Sequence, residues 1–285
     1  QRQMCIRDSF APDSYGALSS TDAIKRLSVA ARRHFQGVKI VPVPMTYGGC
    51  GMVRALVTAC EGAYRTAKIT PLVPEGKSSA VYGVLHGKTA VLALAEVLPC
   101  EGEGTASLNA GELIRRALDE GLREIVLGTA ESAIRDCEMG CMRALGVKFY
   151  DAEGTELKGS AEELGRVAAV DTEYLHPGLR EARITILNGG ISETPAEYAE
   201  DAVRFRALVA SAVGVSASDC AGVGGLLCAL GGARRASGVD ALLDAVDFDK
   251  LLQGVALVVT GEMLLEEASF SGGRAVPCVL ARCAA

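Results

Sequence analysis

Short apolar runs that stop at glycine, each followed by a stretch with helical spacing, recur along this 285-residue chain and constrain its fold more than any other feature. Val38 to Val43 runs into Pro44 and the glycine-rich Tyr47-Gly48-Gly49-Cys50-Gly51, after which Val53, Leu56, Val57 and Cys60 share one helical face. Arg123 to Leu127 leads into Gly128 through Asp136 and a helix passing Met142 and Leu145. Arg183 to Leu187 ends at Asn188-Gly189-Gly190, ahead of a helix from about Thr194 to Val213, and Val255 to Val259 ends at Thr260-Gly261-Glu262. Such uniformly apolar strands, alternating with helices, belong in parallel sheets buried on both faces. The pattern predicts an α/β protein.

The remaining elements fit that class. Ser20 or Thr21 can cap a helix carrying Ile24, Leu27, Ala30 and Ala31, and Gly37 closes it. Ser79 to Leu85 and Thr89 to Leu94 flank His86-Gly87-Lys88 and read as a hairpin. The GVLHGKT stretch there is one residue short of a phosphate loop and runs into a strand, so the hairpin is preferred. Asn109 with Glu112 forms a capping-box pattern ahead of Leu113, Ile114, Ala117 and Leu118; Val147 to Tyr150 is a further strand and Val239 to Leu252 a further helical stretch. The opening nine residues, Gln1 to Ser9, read as a non-native leader outside the fold.

Composition narrows the function. A net charge of −6 would repel a phosphate backbone, which argues against nucleic acid. No apolar run approaches the roughly 20 residues of a membrane helix, and no signal peptide is visible, so membrane attachment is not expected and the cytoplasm is the expected location. The 10 cysteines scatter without a CxxC pair; Cys137 and Cys141 lie one helical turn apart but lack the partners of a zinc site. They read as reduced, small apolar residues.

Four strand-to-helix junctions draw attention: Gly48 to Gly51, Gly128 to Asp136, Gly222 to Gly225, and Thr260 to Glu262. In open parallel sheets ligands bind at the carboxyl ends of strands, and glycine there lets backbone N–H groups approach an anion. Any one such loop is explained by turn geometry; four together point to a phosphate or carboxylate site. Asp136 can hold Mg²⁺ or accept a hydroxyl proton, or simply complement a helix dipole. Asp13 is a natural turn or cap residue, whereas Glu262 ends a buried strand, where solvation explains an acid less well. The histidines at 34, 86 and 176 are too dispersed to form a triad.

In order and spacing these motifs resemble the bacterial glycerate kinase family. Ala11-Pro-Asp-Ser14 is similar to that family's APDSFKGSLSA, and Val41 through Gly51 to VPVADGGEGT. Ala110 to Leu118 resembles TGELIRAAL, Glu131 to Gly140 resembles GGSATNDGGAG, and Leu145 to Gly154 resembles ALGVRFLDADG. Gly222-Val-Gly-Gly225 and Val259-Thr-Gly-Glu262 follow GAGAAGGLG and ITGEGRLD. Several positions depart from the pattern. The lysine of the first motif is missing, Tyr47 and Cys50 replace acids of the second, and Glu131, Arg135 and Glu138 interrupt the fourth; the family's GK becomes Gly273-Arg274.

The resemblance implies a two-lobed α/β fold. Residues 10–68 and 222–285 would build a doubly wound parallel-sheet domain, and residues 69–221 an inserted second α/β domain. It implies transfer of a phosphoryl group from ATP to glycerate, with Mg²⁺ as cofactor, metal ligands left open, and a monomer or homo-oligomer. Asp136 would be catalytic. Asp13, Ser14, Gly48, Gly49, Gly51, Ser132, Gly222, Gly224, Gly225, Gly261 and Glu262 would contact substrate or phosphate. The alternative is a catalytically impaired relative that keeps a binding or association role.

Overall fold

The computed structural model describes residues 7–46, 48–71, 78–97, 107–130, 133–188, 191–192, 196–270 and 274–284. The chain begins with β1 (Arg7–Pro12), α1 (Ser20–His34), β2 (Lys39–Pro42), α2 (Met52–Ala59), β3 (Ala63–Lys68), β4 (Ser79–Leu85) and β5 (Thr89–Ala93). Next come α3 (Leu108–Asp119), β6 (Glu124–Gly128), β7 (Ala133–Ile134), α4 (Met139–Ala144), β8 (Lys148–Tyr150), β9 (Ala169–Asp171), α5 (Pro177–Glu181) and β10 (Arg183–Asn188). The last third holds β11 (Ile191–Ser192), α6 (Ala199–Val213), α7 (Gly225–Gly231), β12 (Arg234–Ser237), α8 (Gly238–Ala245), α9 (Phe248–Leu251), β13 (Leu257–Gly261) and α10 (Ala275–Ala284).

Two sheets organise these elements. Strands β13, β1 and β2 form a three-stranded parallel sheet in that order, drawn from both ends of the chain. The larger sheet has the order β12-β10-β6-β5-β4-β3. Its first four strands are parallel, and β4 and β3 join antiparallel. Both β3 and β12 lie in the segments assigned from sequence to the other lobe. Their ladders draw them in: β3 pairs with β4 from Ala63 to Lys68, and β12 with β10 from Arg234 to Ser237.

Period-2 alternation explains why the large sheet needs cover on both faces. Ala90 and Leu92 of β5, with Ile184 and Ile186 of β10, enter one core; Val91, Ala93 and Leu187 enter the other. The first core adds Leu113 and Ile114 of α3, Met142 of α4 and Phe205 of α6. The second adds Met52 and Leu56 of α2, Leu242 and Leu243 of α8 and Val279 of α10, and reaches Ala11 of the small sheet. Each buried Leu or Ile is worth about 1.5–3 kcal/mol against exposure, so neither face can be left to water.

Local chemistry shifts several expected boundaries. Ser19, not Ser20 or Thr21, caps α1, its side chain accepting from Asp22 N at 3.2 Å. Ser20 is otherwise engaged: its hydroxyl donates to the Pro12 carbonyl at 2.6 Å and accepts from Met45 N at 2.8 Å. Asn109 and Glu112 lie inside α3, and Glu112 accepts from Thr70 N and Oγ1 instead of closing a capping box. The helical stretch from Val239 is broken into α8 and α9 by Asp247, which adopts φ 52°. The expected 85–89 hairpin is present, with His86 and Gly87 both at positive φ and Lys88 N donating to the Leu85 carbonyl.

Residues 7–9, read from sequence as leader, form the first half of β1, the middle strand of the small sheet. Asp8 and Ser9 are 6% and 0% exposed, and Asp8 Oδ1 and Ser9 Oγ have no hydrogen-bond partner. A buried polar atom left unsatisfied costs about 1–3 kcal/mol. Asp8→Val is therefore expected to raise the unfolding free energy by about that amount in urea titration; a destabilised variant would show that Asp8 is compensated in solution.

Candidate functional site

The carboxyl ends of the small sheet carry the first array. Asp13 leaves β1 with its N–H donating to the Gly261 carbonyl at 2.8 Å, and its Oδ1 accepts from Ser14 N at 2.7 Å. Thr260 Oγ1 donates to the Ala11 carbonyl, tying β13 to β1 just before both strands end. Glu262 follows β13. Its side chain is 3% exposed; Oε1 accepts from Val276 N at the start of α10, while Oε2 has no hydrogen bond and lies 3.5 Å from Arg274 Nε. The Tyr15 hydroxyl lies against Gly261, within reach of the charges of both acids. Burial raises its pKa first, and the charges of Asp13 and Glu262 add to the effect. A Cβ on Gly261 would lie 2.5 Å from the Tyr15 hydroxyl, which accounts for glycine there.

Asp13, Ser14, Thr46, Gly49, Gly51 and Ala130 line a 250 Å³ cleft. Ala130 lies in the turn two residues past the end of β6, so the cleft spans the carboxyl edges of both sheets. Gly48 makes this possible: at φ 94° its α-carbon faces Gly128, and a Cβ on Gly128 would overlap the Gly48 carbonyl oxygen. The sequence-derived residues Asp13, Ser14, Gly49 and Gly51 are thus brought together, with Gly48 behind them and Gly261 and Glu262 beside Asp13.

Asp136 occupies a different setting. It is 1% exposed; Oδ2 accepts from Ser107 N at 2.7 Å, Ser107 Oγ at 3.0 Å and Gly140 N at 3.2 Å, and Oδ1 accepts from Glu138 N at 3.1 Å. Ser107 Oγ in turn accepts from Cys141 N, which joins the start of α3 to α4. Glu138, read from sequence as an interruption of a glycine motif, is 3% exposed and accepts from the N–H groups of Gly224 and Leu226. The Gly222–Gly225 loop, expected to hold phosphate, therefore holds an internal carboxylate. Arg235 grips the same loop from its carbonyls, donating to Ala221 and to Val223. Cys137 and Glu138 adopt φ 50° and 65°, a region that favours glycine, where the resembling motif has two glycines.

So the structure divides the expected site. Asp136 and the Gly222–Gly225 loop meet through Glu138 in a buried network, and none of them is among the residues that line the 250 Å³ cleft. Ser132 lies outside the described residues, as do Tyr47 and Glu131. Sequence reasoning missed Tyr15, Arg274 and Ser107 as members of these arrays. Only Ser107 carried a signal, a serine directly before a helical pattern.

Burial pushes Asp136 up to about 6 despite its hydrogen bonds, and Glu138 up to about 7, with the Asp136 charge adding to the effect of burial. Both carboxyls thus bind protons more tightly in the folded than in the unfolded chain. Their stabilisation is complete below about pH 4 and is lost as pH rises through 6 and 7. Melting temperature is expected to fall between about pH 5 and pH 8, and Glu138→Gln to flatten that fall by about half. An unchanged slope in the variant, read by calorimetry, would remove Glu138 from the account.

The glycerate kinase family model matches residues 9–191 and 188–285. The chain is 30% identical over 298 residues to a glycerate 2-kinase of Escherichia coli K12, covering 92% of this chain and 78% of that one. It is 26% identical to a glycerate kinase of Bacillus subtilis, with the same coverage. A crystal structure assigned to glycerate kinase 2 of Salmonella typhimurium LT2 superposes with a TM-score of 0.84 at 24% identity, covering 98% of this chain and 84% of that one, which shows the shared α/β fold. A catalytically impaired relative draws no support from these likenesses.

Proposed function

We propose that this chain, which belongs to the glycerate kinase family, transfers the terminal phosphoryl group of ATP to a hydroxyl of glycerate in the cleft between the two carboxyl edges. Family membership supports a kinase that uses ATP. The observation that carries the location is the convergence of Asp13, Ser14, Gly49 and Gly51 on one 250 Å³ cleft.

Phosphoryl transfer asks a protein mainly for positioning and charge neutralisation. Gly49 and Gly51 present backbone without side chains, so phosphate oxygens can approach closely. Gly51 also stands in a left-handed conformation at the N-cap of α2, an eight-residue helix whose first N–H groups favour an anion. Asp13 is nine-tenths buried but opens onto the cleft wall, so an acceptor hydroxyl would meet its carboxylate there and pass it a proton. Ser14 adds a hydroxyl beside it.

Magnesium fits one oxygen in particular. Glu262 Oε2 is buried, carries no hydrogen bond and sits at a strand end beside Asp13; Arg274 Nε, 3.5 Å away, balances the charge that an ion would take over, and Mg²⁺ is commonly held by one or two carboxylates together with substrate phosphates. Glu262, with Asp13 nearby, would hold the ion, which would neutralise charge on the phosphates. Asp136, Ser107 and Glu138 act through position, tying α3, α4 and the Gly222–Gly225 loop to one another. Cys60, Cys141, Cys220, Cys228, Cys278 and Cys283 are thiols, as suits the cytoplasm.

The test is ATP consumption by the purified chain with Mg²⁺ and D-glycerate. Asp13→Asn is expected to lower kcat by about a hundredfold or more with little change in KM for ATP. Asp136→Asn is expected to act chiefly on melting temperature. A folded wild-type chain without turnover would overturn the reading; turnover that survives Asp13→Asn but vanishes without loss of stability in Asp136→Asn would move the proton acceptor to Asp136.

A further inference from the structure

The opposite, amino-terminal edge of the six-stranded sheet holds a second cleft, of 330 Å³. Strands β5, β6, β10 and β12 begin there with Thr89, Glu124, Arg183 and Arg234. The register sets Thr89 and Arg183 on either side of Glu124, and Arg234 beside Thr185. Alternation puts Arg183 and Thr185 on the face that carries Leu187, the face of the second core. The α8 residues Ala241, Asp244 and Ala245 line the same cleft.

The charges in this cleft do not balance. Arg234 Nε donates to Thr185 Oγ1 at 3.2 Å, which draws its guanidinium towards the row that holds Arg183. Lys88 comes in from the hairpin turn, with Nζ 3.6 Å from Glu124. Of the two acids in the lining, Asp244 shares Arg282 with Asp249, at 2.5 and 2.9 Å, so Glu124 and a partly neutralised Asp244 face three cations. Glu124 is held below the usual carboxylate range, first by the Thr89 hydroxyl and then by Lys88 and Arg183. Like charges on neighbouring strands cost stability. A local excess of about one positive charge, in a chain whose net charge is −6, asks for an anion.

We propose that this amino-edge cleft binds a small, multiply charged oxyanion, a phosphate ester or a polycarboxylate, between Arg183, Arg234 and Lys88. Planar guanidinium groups suit such oxygens because each can donate two parallel hydrogen bonds. The volume falls within the range of small-ligand sites, and apolar Leu85 and Val126 in the lining leave room for a short carbon skeleton. The cleft lies across the sheet from the proposed reaction centre, and its occupancy requires nothing of the reaction.

Isothermal titration of the full chain with inorganic phosphate, and separately with succinate, tests the proposal. Saturable binding is expected, weakened about tenfold or more in the Arg183→Gln/Arg234→Gln variant. Phosphate binding alone would assign a phosphate group, and binding of both anions would admit carboxylates. Arg183→Gln by itself, an exposed substitution at a side chain without a hydrogen bond among the described residues, provides the arm safe from misfolding and is expected to weaken binding severalfold. A wild-type chain that binds neither anion, or variants with wild-type isotherms, would overturn the site whether or not the chain turns over glycerate.

Discussion

The contact between Gly48 and Gly128 is the constraint on which the cleft depends. Gly128 ends the central strand of the large sheet, and Gly48 lies in the loop that leaves the small one. Their backbones approach so closely that a side chain on either would push the loop away: a Cβ on Gly48 would stand 3.0 Å from the Gly128 α-carbon. Two sheets with separate ladders thus present their carboxyl edges to one space. Without that approach Ala130 and Asp13 would not line the same cleft.

A second constraint comes from carboxylates taken out of water. Asp136 and Glu138 gather amide N–H groups from three places, the start of α3, the start of α4 and the loop before α7. Each amide would otherwise be an unsatisfied donor at a helix start. The arrangement offsets that cost but charges a penalty of its own, because burial disfavours the ionised form. This chain thereby supplies from within the negative group that a glycine-rich loop can otherwise receive from a ligand. The strain at Cys137 and Glu138 accompanies the substitution, since their φ values suit glycine.

Charge is also divided between the carboxyl and amino edges. Acids collect past the carboxyl ends of the strands, Asp13 and Glu262 on the small sheet and Asp136 and Glu138 after β6 of the large one, and basic groups at the large sheet's amino edge, at Lys88, Arg183 and Arg234. Phosphates accompanied by a metal cation suit the first edge and a bare anion the second. Parallel topology separates them, because every parallel strand starts at one edge and ends at the other.

The alternation of apolar runs, glycine stops and helical stretches by itself determined the α/β class, the 85–89 hairpin and the carboxyl-edge position of Gly49, Gly51 and Glu262, whereas Asp13 entered as a turn residue and through the family resemblance. Those features follow from periods of 2 and 3.6 residues and from glycine geometry, which are local properties. Tertiary structure alone decided that β3 and β12 join the large sheet, that Ser20 ties β1 to the loop after β2, and that Glu138 reaches amides 86 and 88 positions away. The sequence marks Glu138 as an intruder in a glycine motif, and the fold makes it a partner. A carboxylate's role depends on which donors packing brings within about 3 Å of it, and no local period encodes that meeting.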